Sequence, residues 1–225
     1  MVFPKNHLIK AMVFDFDGTL AVLNINFSLM RERVLQWMKG FEIQEERIKE
    51  RYLLEIIEEV RRLLKEEKSA SESVRFCHGA HQILQEVEIE AAADGRLIPG
   101  SKETLAFLKE KGMKVGIVTR NCADAVRKVF PDIDAYCDVF VSRDLVKKVK
   151  PHPDHLMFVM KALQVSGDEA VMIGDHVLDI QAGKGVGMRT VGVLTGYIKR
   201  EEFENAGADY ILREVSEICQ LLEEK

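Results

Sequence analysis

The sequence contains no apolar run approaching the roughly 20 residues that span a bilayer, and no signal-peptide pattern at its N-terminus, so a cytoplasmic protein is expected. It has no C-x-x-C pair. Cys77, Cys122, Cys137 and Cys219 are scattered, as expected of reduced and mostly buried thiols, and none sits in a recognisable nucleophile setting. A basic excess is also missing. With a net charge of -5 the chain has no basic excess to neutralise a phosphate backbone, so no nucleic-acid partner is expected, and without an apolar span no membrane partner either. What is present is a hydrophobic fraction of 47% and a charged fraction of 31% over 225 residues. That is enough for one large domain, or for a core domain with a smaller insertion.

The rest of the chain is organised around Ala11-Met12-Val13-Phe14-Asp15-Phe16-Asp17-Gly18-Thr19-Leu20. It reads as a short buried strand that runs into two carboxylates two residues apart and then a glycine. The period of two puts Asp15 and Asp17 on one side as the chain leaves the sheet, and Gly18 permits a sharp turn. Two like charges this close repel unless a cation or a shared proton relieves them. Alternatively, both aspartates simply cap backbone amides in a turn.

Along the chain, a strand over 8–16 is followed by a helix from about Phe27, stopped at Gly40, a longer helix over 44–68 and a third over 73–93. Residues 21–96 therefore look entirely helical. After Pro99-Gly100 strands and helices alternate: helix 101–111, strand 114–119, helix 123–130, strand 139–142, helix 153–163, strand 170–174, helix 178–184, strands 190–193 and 209–212, and a last helix over 214–224. Such alternation implies a doubly wound parallel sheet covered on both faces. The expected fold class is α/β, with a catalytic core of 1–20 and 97–225 and an inserted all-helical cap of 21–96. In such sheets ligands bind at the carboxyl ends of the strands, where Asp15 and Asp17 lie.

Other polar groups end strands in the same way: Thr119, then Lys150 before Pro151, then Asp175 after Gly174, with Asp179 one helical turn on. Singly, these read as a cap or turn residue, a solvated lysine and a plain N-cap. Together they place acids, a hydroxyl and a base at one edge of one sheet. His152 and His155 lie beside the lysine loop, where a lone histidine reads first as structural or solvated. The same holds for Arg75, His78 and His81 on the third helix and for Lys39.

In these motifs the chain resembles the haloacid-dehalogenase-superfamily (HAD) hydrolases, in the branch with a helical cap after the first motif. The matching residues are Asp15-Phe16-Asp17-Gly18-Thr19-Leu20, Thr119, Lys150-Pro151, and Gly174-Asp175 with Asp179. Size, the Pro99-Gly100 re-entry and Lys-Pro-x-Pro bring it nearest to phosphoglycolate-phosphatase-like enzymes. It departs at Ala21-Val22-Leu23-Asn24, where many relatives carry an Asp-Ser pair. The resemblance implies a phosphatase of small phosphorylated metabolites, a monomer or homodimer, working through an aspartyl-phosphate. Asp15 would be the nucleophile and Asp17 the general acid and base. Thr119 and Lys150 would serve catalysis and phosphate binding, with Arg120 and Asn121 assisting substrate binding. Mg²⁺ is the implied cofactor, held by Asp15, the Asp17 main-chain carbonyl and Asp175, with Asp179 in support.

Three competing functions are separable. A dehalogenase would not need the second carboxylate, Asp17. A β-phosphoglucomutase-like enzyme shares all four motifs and differs only in its response to sugar phosphates. A receiver-type signalling module uses a phosphorylatable Asp with Thr and Lys, but the large insertion argues for an enzyme with a lid that excludes water and selects the substrate.

Overall fold

A computed structural model describes residues 9–223. Leu8, where the expected first strand begins, and Glu224, near the end of the expected last helix, lie outside them. The strands are β1 (Ala11–Phe14), β2 (Ala21–Val22), β3 (Arg96–Leu97), β4 (Lys114–Val118), β5 (Val139–Val141), β6 (Ala170–Gly174), β7 (Arg189–Val193) and β8 (Tyr210–Leu212). The helices are α1 (Phe27–Lys39), α2 (Leu53–Glu67), α3 (Ala70–Ala91), α4 (Ser101–Glu110), α5 (Ala123–Val129), α6 (Ile133–Tyr136), α7 (Pro153–Leu163), α8 (Val177–Gly185), α9 (Arg200–Asn205) and α10 (Glu217–Glu223).

Six strands form one sheet in the order β5-β4-β1-β6-β7-β8. Every neighbouring pair is parallel. The sheet is covered on both faces. Ala11, Val13, Val118, Ala170 and Met172 pack against Leu156, Val159 and Leu163 of α7 and Ala182 of α8. Met12 and Phe14, which point the other way by alternation, are equally buried. The strand order reverses at β1, which has β4 on one side and β6 on the other. A crevice at the carboxyl ends is expected at such a switch point. Register makes it exact in residues: Phe14 lies between Ile117 and Ile173, so the segments after β1, β4 and β6 leave the sheet at one level.

The described residues divide into two compact units, one running to Leu23 and resuming at Ala92, the other Asn24–Ala91. The second unit is all helical. It buries Met30, Val34 and Met38 of α1, Ile56, Val60 and Leu64 of α2, and Phe76, Ala80 and Leu84 of α3. Trp37 Nε1 donates to the Phe76 carbonyl at 3.1 Å. A Cβ on Gly79 would come within 2.5 Å of the Trp37 indole, so the ring lies flat on a helix with no side chain there.

Two expectations need correction. Residues 21–96 are not wholly helical: β2 pairs antiparallel with β3, Ala21 opposite Leu97 and Val22 opposite Arg96. Two-residue strands are too short to leave a periodic signal. The expected helix over 44–68 is also interrupted. A short 3-10 turn, Glu45–Arg47, precedes extended backbone at Ile48, and α2 begins only at Leu53. The cause is tertiary. The N–H groups of Lys49 and Glu50, which a helix would have used, donate instead to Oε2 of the buried Glu59 at 2.9 and 3.1 Å. Two short helices, α6 and α9, were not expected at all. At four and six residues, α6 and α9 are too short to carry a period.

The Glu59 contact yields a stability prediction. Glu59→Ala should cost about 2 kcal/mol through the loss of two hydrogen bonds to a charged acceptor. Urea unfolding checks it, and an unchanged midpoint would mean that water replaces the carboxylate without cost.

Candidate active site

Asp15 follows the last residue of β1 and is 9% exposed, its backbone N–H continuing the sheet by donating to the Ile173 carbonyl at 2.8 Å. Asp175 follows β6. Asp179 lies in the first turn of α8, where its Oδ2 accepts the His176 N–H at 3.1 Å. His176, not Asp175, is the N-cap, since its Nδ1 accepts the Leu178 N–H at 3.2 Å. One oxygen each from Asp15, Asp175 and Asp179 can be chosen so that all lie within 4.8 Å of one another.

Lys150 faces this acid cluster although it is 1% exposed. Its Nζ donates to Asp15 Oδ1 and Asp179 Oδ1, each at 2.6 Å, and more weakly to the Val118 carbonyl at 3.3 Å. All three ammonium protons are thereby committed. Burial alone would favour the neutral amine, but the two carboxylates outweigh it and hold Lys150 above its usual pKa. Among the acids burial is the larger effect. It pushes Asp15 up to about 6, with Lys150 opposing and Asp179 reinforcing. Burial also raises Asp175 well above the ordinary carboxylate range, and the charges of Asp15, Asp179 and Asp17 add to it.

Three glycines make the cluster possible. A Cβ on Gly18 (φ +83°) would lie 2.2 Å from Asp175 Oδ2, one on Gly196 2.0 Å from the same atom, and one on Gly174 2.1 Å from Asp179 Oδ2. Thr195 Oγ1 donates to the Gly18 carbonyl and ties the loop after β7 to the turn after β1. Thr19 Oγ1 approaches Asp175 Oδ1 at 3.4 Å.

The remaining expected residues sit at the same sheet edge in different settings. Thr119 is buried just after β4, and its hydroxyl oxygen accepts the Asn121 N–H at 3.1 Å. Arg120 Nη1 donates to the Lys150 carbonyl. Asp17 is the exception. Its side chain is not part of the three-carboxylate cluster, and Oδ1 accepts the Leu23 N–H at 2.9 Å, at the last residue before the helical unit.

One feature escaped the sequence, and another was read from it only as structural or solvated. The Thr195-Gly196 loop has no motif around it. His155 is fully buried, and its Nδ1 accepts the Lys150 backbone N–H at 3.2 Å. Burial, with the Lys150 charge adding to it, pushes this imidazole down to about 3 and keeps it neutral. A histidine five residues after a lysine carries no sequence signal for that contact.

The family model for haloacid dehalogenase-like hydrolases matches residues 12–193, which takes in Asp15, Asp17, Thr119, Lys150, Asp175 and Asp179 but not the Thr195-Gly196 loop. The chain belongs to that family. Among relatives of this hydrolase, a Clostridium perfringens protein named "Putative pyrophosphatase PpaX" is 30% identical over 223 residues, covering 96% of this chain and 98% of its own. The phosphoglycolate phosphatase of Shigella boydii serotype 4 is 28% identical over 240 residues, covering 95% and 92%. Among solved structures, CbbY from Rhodobacter sphaeroides in complex with phosphate is 26% identical, with a TM-score of 0.63 and coverage of 94% and 96%. Among the described residues no helix is long and apolar enough to cross a membrane.

The donor set fits a hard divalent cation, as the family generally uses. It is all carboxylate oxygen, and burial holds two of its acids, Asp15 and Asp175, above the ordinary carboxylate range. The pH dependence follows from the signs. In the metal-free protein the Asp15 and Asp175 pKa values lie above the unfolded value near 4. Their contribution to stability is therefore fully present below about pH 4 and is lost at higher pH, that of Asp15 as pH rises through about 6. A cation reverses this by binding the deprotonated pair. Mg²⁺ should thus raise the melting temperature more at pH 7.5 than at pH 5, as read by differential scanning fluorimetry. An equal or larger increment at pH 5 would contradict the assignment.

Proposed function

We propose that this hydrolase is a Mg²⁺-dependent phosphatase of small organic phosphate monoesters that works through an aspartyl-phosphate on Asp15. The observation that carries the reading is the Lys150 ammonium set between Asp15 and Asp179 at 2.6 Å from each, beside a third buried carboxylate. An amine so placed neutralises a carboxylate that must approach a phosphate dianion. The names of two relatives support the substrate class, a phosphoglycolate phosphatase and CbbY, a variant of which has been solved with xylulose-(1,5)bisphosphate; the relative named as a pyrophosphatase supports phosphoryl hydrolysis but not an organic ester.

On this reading Asp15, Asp175 and the Asp17 main-chain carbonyl hold Mg²⁺, with Asp179 in support through Lys150. When bound, the cation supplies charge neutralisation between nucleophile and phosphoryl group. An Asp15 oxygen forms the new bond to phosphorus while the ester P–O bond breaks, and Asp17 gives its proton to the departing oxygen. Water then attacks the phosphorus of the aspartyl-phosphate, Asp17 takes a proton from it, and the bond to Asp15 breaks to release inorganic phosphate. Lys150 and Thr119 donate to the developing charge, and Arg120 and Asn121 assist substrate binding. Asp17 reaches this role by a rotation of its side chain away from the Leu23 N–H.

The test uses an aryl phosphate with an activated leaving group. Turnover should require Mg²⁺ and stop in excess EDTA. Asp15→Asn should abolish it while the fold persists. Asp17→Asn should lower it by about 10²- to 10⁴-fold yet still permit phosphoenzyme to form, because an activated leaving group needs little acid help. Labelled phosphoenzyme in Asp15→Asn but not in Asp17→Asn would reverse the two roles.

Substrate choice is assigned to the helical unit, because every motif residue lies outside it and is committed to the phosphoryl group. Replacing residues 24–91 with the corresponding unit of a relative that prefers another phosphate ester should transfer the preference. A folded chimaera that keeps the parental ranking of substrates would refute this.

A further inference from the structure

We propose that His155 is a positioning residue for Lys150: its imidazole holds the lysine's backbone N–H and so fixes where the ammonium can reach. The inference rests on the catalytic role given to Lys150 above and adds a residue to it.

The geometry follows from a count of donors at the start of α7. In Lys150-Pro151-His152-Pro153-Asp154-His155 the two prolines have no N–H. The His152 N–H donates to the Val149 carbonyl at 2.9 Å, and the Asp154 N–H to His152 Nδ1 at 3.2 Å. The His155 N–H donates to the His152 carbonyl at 3.4 Å. That leaves the Lys150 N–H, on a residue 1% exposed, and His155 Nδ1 takes it at 3.2 Å. His155 is the third residue of α7, and a third-position side chain that reaches back to a preceding N–H is the logic of a capping box. Here the N–H belongs to the lysine of the active site.

Both backbone polar groups of Lys150 are then held by side chains, the N–H by His155 and the carbonyl by Arg120. The position of Cα limits where a four-carbon stem can place its nitrogen, and this one must meet two carboxylates at 2.6 Å. Without an acceptor at His155 Nδ1, the Lys150 N–H becomes a buried orphan donor. The turn must rotate to find another partner, and the rotation carries the ammonium away from Asp15. Displacement of a reacting group by about 1 Å can cost on the order of a hundredfold in rate.

The contact specifies an acceptor two bonds beyond Cβ, which separates variants of equal polarity. Asn places an amide oxygen at the position of Nδ1. Gln places it one bond further, and Leu offers none. With Mg²⁺ and an aryl phosphate, His155→Asn should keep kcat within about threefold of wild type, whereas His155→Gln and His155→Leu should lose roughly 10- to 100-fold. Melting temperatures identify any variant that does not fold, and the Asn and Gln pair decides the matter if Leu is lost. In a Lys150→Met background, His155→Gln should add no further loss, since a residue that acts through Lys150 has nothing left to position.

Full activity in His155→Gln with Lys150→Met impaired would overturn the inference alone. So would folded His155→Asn at below a tenth of wild-type activity, or multiplicative losses in the double variant. Equal turnover in wild type and Lys150→Met would overturn the role of Lys150 and this inference with it.

Discussion

A single ammonium group holds three chain segments together at the site. The Lys150 nitrogen is bonded to the residue after β1, to the first turn of α8 and to the end of β4, and each of these bonds is buried. Remove the positive charge, and carboxylates within 4.8 Å of one another are left in a medium that solvates them poorly. Two attractions therefore compete for the Asp15 carboxylate, one from the lysine and one from any cation the cluster takes up. A structural ion pair would satisfy the carboxylate completely. Here burial keeps Asp15 and Asp175 above the ordinary carboxylate range in spite of the lysine, and acids perturbed in this way mark a candidate functional site.

The sheet supplies the precision. Its order turns back at β1, so β4 and β6 leave their polar ends beside Asp15. The close approach of the acids is then a matter of excluded volume. Gly18, Gly174 and Gly196 stand where a methyl group would fall within 2.0 to 2.2 Å of a carboxylate oxygen. Only the positive φ of Gly18 concerns conformational freedom; for the other two the need is space. The loop after β7 is part of the same construction, because Thr195 joins it to the carbonyl of Gly18.

Where expectation and structure part, the competing interaction can be named. The helix expected from residue 44 fails over 48–52 because the Glu59 carboxylate takes the N–H groups of Lys49 and Glu50. The ribbon of β2 and β3 joins residues some seventy-five positions apart, so neither strand could be seen from its own neighbours. Asp17 was expected on the same side as Asp15, yet its side chain is turned to the Leu23 N–H. The expected partition at residue 21 differs by three residues from the structural division at Asn24, since the chain completes the ribbon before it leaves the α/β unit.

The sequence by itself determined the alternation of strands and helices, the helical insertion after the first strand, and the acids and hydroxyl that follow strands. Each of these is written in local periodicity or in the residue that follows a buried run, and both are properties of adjacent positions. The lysine, expected at a strand end, lies instead in the turn before α7, nine residues beyond β5. The tertiary structure decided which of those groups meet. It put Asp179 rather than the Asp17 side chain with Asp15 and Asp175, brought Gly196 against Asp175, and turned His155 from an unremarkable helix residue into the partner of Lys150. Such pairings depend on the register of parallel strands and on the direction in which each loop leaves the sheet. No stretch of sequence encodes them until the whole sheet is assembled.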